Sequence, residues 1–408
     1  MKPSNISEIN FKFTLACHWS FPNDQGGVGM HNWYLLQMLS GHIDILMVSS
    51  INQINELYYQ KNCIPYYGID LSIPTFLPKL IRSNYLKNGL RSWKDWRVSI
   101  RLKTALETLP TNVVEFIDIH SNGYVYLKRN QKSNRKEKVI IRSHTPWGLL
   151  REYYSSDRIK GTDGWFAQQR EKQCFQWADS ISTPSVDLKN KLIEFYEIEA
   201  KKIFVIPNIL DTNHFKPLNR LNKNKEFILL HVGRFEIEKG VETLIKAFIA
   251  ISKKFNNVKL INVGTPRGPS FNKCMKLLKK NKLDQKVIFT GFVDYLGLPE
   301  FYAKSDIVIV PSEIYESFSY TVAQGMACGK PVIASEIGGI PETTNYGNAA
   351  MLFEPGDVDQ LTDKIEKLYA NSDIREKLGR KARKYIVDYC SIESLKLKYI
   401  EFYQSILN

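Results

Sequence analysis

The sequence predicts an α/β protein built from two doubly wound, parallel-sheet domains. Three observations carry that prediction. Short, unbroken apolar runs recur along the whole chain, as strands buried on both faces require. Most are followed by a loop and a stretch of helical period, the order of strand–crossover–strand units. The length of 408 residues suffices for two ordinary domains, each with its own core.

Composition narrows the class. Hydrophobic residues make up 43% of the chain and charged residues 24%, which are globular values. No apolar run reaches the length that spans a bilayer, and residues 1–8 lack the apolar core of a signal peptide. A cytoplasmic protein is expected, either free or peripheral on the inner face of the cytoplasmic membrane. The cysteines Cys17, Cys63, Cys174, Cys274, Cys328 and Cys390 are scattered without a CxxC pair. They read as reduced, packed thiols, and no metal site is expected. A formal charge of +14 implies attraction to nucleotide phosphates, anionic lipid or nucleic acid, without choosing among them.

Taken in order, residues 11–17 form the first strand. The loop after it holds Gly26 and Gly27, where a missing side chain lets backbone approach a ligand closely. By itself a Gly-Gly pair after a strand is more often a turn than a site. The helix that follows carries Trp33, Leu36, Met38 and Leu39, and residues 43–49 form the second strand. From there to about residue 109 the chain is irregular and basic. Lys79, Arg82, Lys87, Arg91, Lys94, Arg97, Arg101 and Lys103 are interleaved with Leu, Ile and Trp, and Asp95 is the only acid between Lys79 and Lys103. Two readings stay open for that stretch: a surface that meets an anionic membrane, or a basic helix packed on its own domain. A second basic run, 128–138, reads as an exposed turn. Strands at 113–117 and 139–142 lead to His120 and His144 at the ligand side of the sheet. A lone histidine there is usually just hydrogen-bonded or solvated. A helix at 162–177, a strand at 180–183, a helix with Leu188, Leu192 and Phe195, and a strand from 203 complete the first half. The mostly polar run 219–225 marks a boundary.

The second half opens with a strand from residue 227 and a loop carrying Gly233, Arg234 and Lys239. Strands follow at 258–264, 287–293 and 307–310, the last preceded by a helix at 298–303. The most informative stretch is 309–335. It reads as an apolar strand, an acidic loop with Glu316, a short helix with Ser319 as N-cap, a Gly-Lys-Pro stop and another strand. The free N–H groups and dipole of that helix start suit an anion such as a diphosphate, and Glu316 beside it suits a hydroxyl-rich group. Asp357-Val358-Asp359 has the spacing of a metal motif. With Gln360 three residues after Asp357 and helical period beyond, it reads as a capping box instead. The last helix, 392–407, carries Leu395, Tyr399, Ile400, Phe402 and Tyr403.

Glu316-Ser317-Phe318, followed by Met326-Ala327-Cys328-Gly329-Lys330-Pro331-Val332, resembles the signature of the retaining glycosyltransferases of family 4, also called group 1. The spacing of Arg234 and Lys239 resembles that family's cationic pair, and residues 207–211 resemble its linker. Arg142-Ser143-His144-Thr145 fits its histidine position, which favours His144 over His120. Two positions depart from the pattern: Ser319 stands where the family has glycine, and Gln324 where it has a second glutamate. The resemblance implies GT-B architecture, with two Rossmann-like domains facing a central cleft. Residues 1–207 would be the acceptor-side domain, 208–389 the nucleotide-sugar domain and 390–408 a helix returning to the first. It implies metal-independent, retaining transfer of a hexose from a UDP- or GDP-linked donor to a lipid-linked or polysaccharide acceptor at the membrane surface, as in cell-surface polysaccharide synthesis. The donor is a substrate, and neither a cofactor nor a nucleic-acid partner is expected. Arg234 and Lys239 would hold the diphosphate, and Glu316 and His144 the donor sugar. Gly26, Gly27, Gly233, Phe292, Val293, Ser317, Phe318, Ser319 and Tyr320 would surround the donor, with Gln324 at the ribose. The departures at 319 and 324 motivate one alternative, a GT-B protein that binds nucleotide-sugar with weak or lost transfer.

Overall fold

A computed structural model describes residues 11–18, 20–70, 84–130, 135–153, 162–218, 226–266 and 268–407. The chain divides into two compact units, Met1–Ile209 together with Leu395–Asn408, and Leu210–Ser394.

In the first unit, strands β1 (Lys12–Ala16), β2 (Asp44–Ser50), β3 (Tyr66–Ile69), β4 (Val113–Ile117), β5 (Lys138–Arg142), β6 (Ser180–Thr183) and β7 (Ile203–Val205) form one sheet in the order β3-β2-β1-β4-β5-β6-β7. Its strand pairings are parallel. β4 is buried at every position, which is why it reads as an unbroken apolar run. The crossovers are helices α1 (Gly27–Leu39), α2 (Gln53–Lys61), α3 (Asn84–Leu106), α4 (Tyr124–Asn130), α5 (Trp147–Tyr153), α6 (Thr162–Trp177) and α7 (Val186–Tyr196).

Two expectations change here. The stretch read as irregular contains α3, a helix of 23 residues. Ser99, Leu102, Ala105 and Leu106 are buried on it, while Lys94, Trp96 and Arg101 are exposed. The side chains from Lys79 to Trp93 lie outside the described residues. The basic run 128–138 is not simply an exposed turn. Lys128 and Arg129 end α4, and Arg135 pairs with Asp179 at 3.1 Å, while 131–134 lie outside the described residues.

In the second unit, β8 (Phe227–Val232), β9 (Val258–Val263), β10 (Val287–Phe289), β11 (Ile307–Val310), β12 (Val332–Ser335) and β13 (Met351–Phe353) form a parallel sheet in the order β10-β9-β8-β11-β12-β13. Helices α8 (Val241–Lys254), α9 (Gly268–Lys280), α10 (Leu298–Lys304), α11 (Tyr320–Ala327), α12 (Ile340–Thr343), α13 (Val358–Ala370) and α14 (Ser372–Cys390) cover it. Leu229, Leu260, Ile309 and Ile333 from the strands pack with Leu244, Ile245, Phe248, Leu361 and Ile365 from α8 and α13. The final helix, α15 (Ile392–Leu407), belongs from Leu395 onward to the first unit.

Each sheet has one point where successive crossovers run to opposite sides: between β1 and β4 in the first unit, and between β8 and β11 in the second. Open α/β sheets bind ligands outside the carboxyl ends of the strands at such points. Of the residues singled out in the sequence, Gly26, Gly233, Arg234, Lys239, Glu316, Ser317, Phe318 and Ser319 stand after the strands at these two places, whereas His144 follows β5, Phe292 and Val293 follow β10, and Gly27, Tyr320 and Gln324 lie within helices.

Candidate functional site

In the second unit the loops after β8 and β11 are stitched together. The Glu313 N–H donates to the Glu238 carbonyl at 2.9 Å, and the Thr243 hydroxyl donates to Glu313 Oε1 at 2.6 Å. Gly240 sits at φ +68°, and a Cβ there would lie 1.6 Å from the Pro311 carbonyl oxygen. Only glycine lets the two loops approach this closely. The result is that Lys239 Nζ meets Glu316 Oε1 at 2.5 Å, and the Ser312 hydroxyl donates to the same oxygen at 2.8 Å. Both members of the ion pair remain partly exposed. Two residues 77 positions apart in sequence are thus brought together.

Arg234 stands on the same loop, more than half exposed, with Nη1 at 2.8 Å from Glu236 Oε2. Gly233 precedes it at the end of β8, and its N–H donates to the Val263 carbonyl. Behind the loop, His231 Nδ1 lies 2.7 Å from Asn262 Oδ1, and burial pushes that imidazole down to about 4, so it is neutral. Phe292 is 70% exposed on the loop after β10, with Val293 half-buried beside it.

Ser317, Phe318 and Ser319 are buried, so their side chains face protein. Tyr320 begins α11 half-exposed, and its ring packs edge-on against Phe318 at 5.3 Å. Ser319 does not act as expected. It occupies the N-cap position, but its hydroxyl makes no capping bond, and its backbone lies at φ +66°, ψ +92°. That is a conformation which a Cβ makes costly, by about 1–3 kcal/mol, and it explains why glycine suits the position. Ser319→Gly is therefore expected to stabilise the second unit by ~1 kcal/mol, read as a higher urea midpoint with unchanged slope. Gln324 is also buried, and its Oε1 accepts the Tyr302 hydroxyl at 2.9 Å. The amide thus has a partner inside the protein, one that sequence alone did not reveal.

The first unit places its singled-out residues differently. Gly26 is the N-cap of α1, and its N–H donates to Asp24 Oδ1 at 2.9 Å. Burial raises the Asp24 carboxyl above its usual range. Gly27 is the first residue of the helix. His144 is buried after β5. Its backbone N–H donates to Asp118 Oδ2 at 2.9 Å, as does the Ser143 hydroxyl. Its ring lies edge-on to His31 at 5.1 Å, and burial, with Arg142 close by, holds it well below the ordinary histidine range. The same burial and the neighbouring Arg142 favour the neutral imidazole at His144. His120 is held at 3.1 Å from Asp95, and Asp95 lies 3.9 Å from Arg170. The lone acid of the basic stretch serves this internal network.

Three buried carboxylates were not singled out in the sequence. Glu115 accepts the Tyr403 hydroxyl, Asp118 fixes Ser143 and the His144 N–H, and Glu171 fixes the backbone after Pro146. Glu171 accepts the Trp147 and Gly148 N–H groups at 2.7 and 3.1 Å, together with the Tyr196 hydroxyl. Burial, then the neighbouring Asp118, pushes it up to about 8 from 4.5. A carboxyl that holds its proton more tightly when folded loses stability as pH rises from the unfolded to the folded value. The loss from Glu171 thus spans pH 4.5 to 8, and Glu115, pushed up to about 7, adds to its lower part. The melting temperature is expected to fall by about 5–10 °C between pH 6 and 9, and Glu171→Gln should remove the part of the fall above pH 7. An equal fall in both proteins would contradict this account.

Asp357 caps α13 by accepting the Gln360 N–H at 2.9 Å, so the motif begins a helix. The reciprocal bond goes to the Glu354 N–H rather than to Asp357, because the chain turns back at Gly356. Among the described residues, no group of three or more His, Cys, Asp or Glu is arranged to hold a metal, and no helix is long and apolar enough to cross a membrane.

Two family models match these units almost end to end. "Glycosyltransferase Family 4" matches residues 25–214, and "Glycosyl transferases group 1" matches residues 211–385. The chain belongs to the family 4, group 1 glycosyltransferases. This group 1 family member is 28% identical over 237 residues to N-acetyl-alpha-D-glucosaminyl L-malate synthase of Bacillus anthracis, covering 56% of this chain and 60% of the relative. It is 29% identical over 236 residues to lipopolysaccharide 1,2-N-acetylglucosaminetransferase of Salmonella typhimurium, covering 54% and 61%. The chain therefore spans about three fifths of the length of these relatives. The crystal structure of Anabaena HepE in complex with UDP and glucose superposes with a TM-score of 0.74 at 18% identity, covering 97% of this chain and 100% of that one. The family member has the two-domain α/β GT-B fold, with a seven-stranded and a six-stranded parallel sheet.

Proposed function

We propose that the chain is a retaining glycosyltransferase that moves a hexose from a UDP- or GDP-sugar to a lipid-linked or polysaccharide acceptor at an anionic membrane surface. The observation that carries the reading is the convergence of Lys239 and Glu316 on stitched loops at the switch point of the second sheet. When the bond between the anomeric carbon and the diphosphate breaks, negative charge builds on the diphosphate. Lys239, Arg234 and the start of α11 are the groups that meet that charge. Glu316 accepts hydrogen bonds from sugar hydroxyls and so places the reacting carbon. In the first unit, His144, held by Asp118 through its backbone N–H, is the residue that the resemblance assigns to the donor sugar. Gly26, Gly27, Gly233, Phe292, Val293, Ser317, Phe318, Ser319 and Tyr320 complete the donor contacts, chiefly through backbone where side chains are buried. Gln324 takes the ribose.

Retention is the stereochemistry of the family that the motifs resemble. Lysine and arginine supply the charge compensation, so the reading needs neither a metal nor a cofactor, and transfer is expected to survive chelation with EDTA. The acceptor class is supported by the lipopolysaccharide-transferase relative. Membrane contact is supported by the exposed Lys94, Trp96 and Arg101 on α3. Nucleic acid has no place in this reading.

A thermal-shift screen of UDP-, GDP- and ADP-sugars should raise the melting temperature with one UDP- or GDP-sugar. Radiolabelled transfer from that donor into membranes should follow. Stabilisation without transfer would favour the second reading, a nucleotide-sugar-binding protein, which the strained Ser319 and the internally bonded Gln324 motivate. The absence of any stabilising nucleotide would defeat both.

A further inference from the structure

Lys239 meets a carboxylate before it meets any phosphate. Its ammonium lies against Glu316 Oε1, and the Ser312 hydroxyl donates to that same oxygen. Neither loop can retract to separate the pair without breaking the Glu313–Glu238 bond or the close approach of Gly240 to Pro311. A phosphate that comes to Lys239 must therefore share the lysine with Glu316, or displace it, with two negative groups side by side.

We infer that Glu316 discriminates between the nucleotide-sugar donor and the nucleoside diphosphate left after transfer, by competing with the diphosphate for Lys239. The inference rests on the donor reading above. Like charges placed side by side at a binding site cost affinity. With the sugar attached, its hydroxyls donate charge-assisted hydrogen bonds to Glu316 and offset that cost. Once the sugar has moved to the acceptor, those donors are gone and the repulsion stays. The bare diphosphate is then the species that Glu316 expels. One carboxylate thus favours the donor and hastens departure of the product. Ser312 contributes by keeping the carboxylate turned toward Lys239.

Calorimetric titration of UDP, GDP, UDP-glucose and GDP-mannose into wild type and Glu316→Gln tests this. The amide keeps the shape and an acceptor for Ser312 but removes the charge. Whichever nucleoside diphosphate the wild type recognises is expected to bind Glu316→Gln about tenfold more tightly. The matching sugar nucleotide should gain nothing. Equal or weaker diphosphate binding by a folded Glu316→Gln would overturn the inference while leaving the donor reading intact. Failure of the wild type to bind any of the four would overturn the donor reading and the inference together. Ser312→Ala, which frees the carboxylate to turn away, should tighten diphosphate binding in the same direction by less. It decides the matter if circular dichroism shows that Glu316→Gln is unfolded, and unchanged binding in Ser312→Ala would then count against the inference.

Discussion

Alanine at position 239 is expected to lower the transfer rate by about 10²–10³-fold. The lysine is the cation fixed on the stitched loops, where it pairs with Glu316. Removing one preorganised donor from a site of developing charge costs ~3–4 kcal/mol of barrier. The fold should survive, because a partly exposed ion pair contributes no more than ~1 kcal/mol. Single-turnover transfer from a radiolabelled donor, with the melting temperature alongside, separates the two effects. A variant that transfers at the wild-type rate would show that the diphosphate sits elsewhere. Arg234→Ala should cost less, since Arg234 is more exposed and already turned toward Glu236.

Ending the chain at Ser394 is expected to leave the first unit unfolded. The removed part of α15 buries Leu395, Tyr399, Ile400, Phe402, Tyr403 and Ile406. At ~2 kcal/mol for each large apolar side chain, the loss approaches or exceeds the whole stability of a typical domain, ~5–15 kcal/mol. Polar contacts add to it. Tyr403 donates to Glu115 Oε2 at 2.8 Å, Tyr399 donates to the Pro207 carbonyl at 3.0 Å, and Arg142 lies 6.0 Å from the Tyr399 ring centroid. Without α15, a buried carboxyl and a buried guanidinium lose these neighbours. Limited proteolysis should degrade residues of the first unit rapidly and spare the second. A truncated protein whose first unit still resists protease would contradict the account. The milder Tyr403→Phe leaves Glu115 without its hydroxyl donor and is expected to cost ~1–3 kcal/mol.

The strands were legible because parallel strands buried on both faces leave an unbroken apolar run, and β4 and β11 begin and end where that pattern does. The second-unit site was legible because its key residues stand on two short loops, each directly after such a strand. The Lys239–Glu316 contact needed the structure. It depends on β8 and β11 being neighbours, and sheet order is not written in any local pattern. The same reason hid Asp118, Glu171 and His31. Their partners lie on other elements, and an acid on a helix such as Glu171 reads as solvent-facing until the helix is placed. Ser319 stands at the N-cap as its sequence position suggests, but only the structure shows that it makes no side-chain cap and stands in a glycine's conformation. A basic helix packed on its own domain was one of two readings for the stretch that holds α3, and the buried Leu102, Ala105 and Leu106 needed the structure because dense charge obscures their period.

Direct binding of UDP and GDP to wild type and Lys239→Ala, by calorimetry at fixed salt, tests the central claim most closely. One nucleotide should bind the wild type, and Lys239→Ala should weaken it by at least about tenfold with no change in fold. Equal affinity in the two proteins would place the diphosphate away from Lys239 and contradict the account.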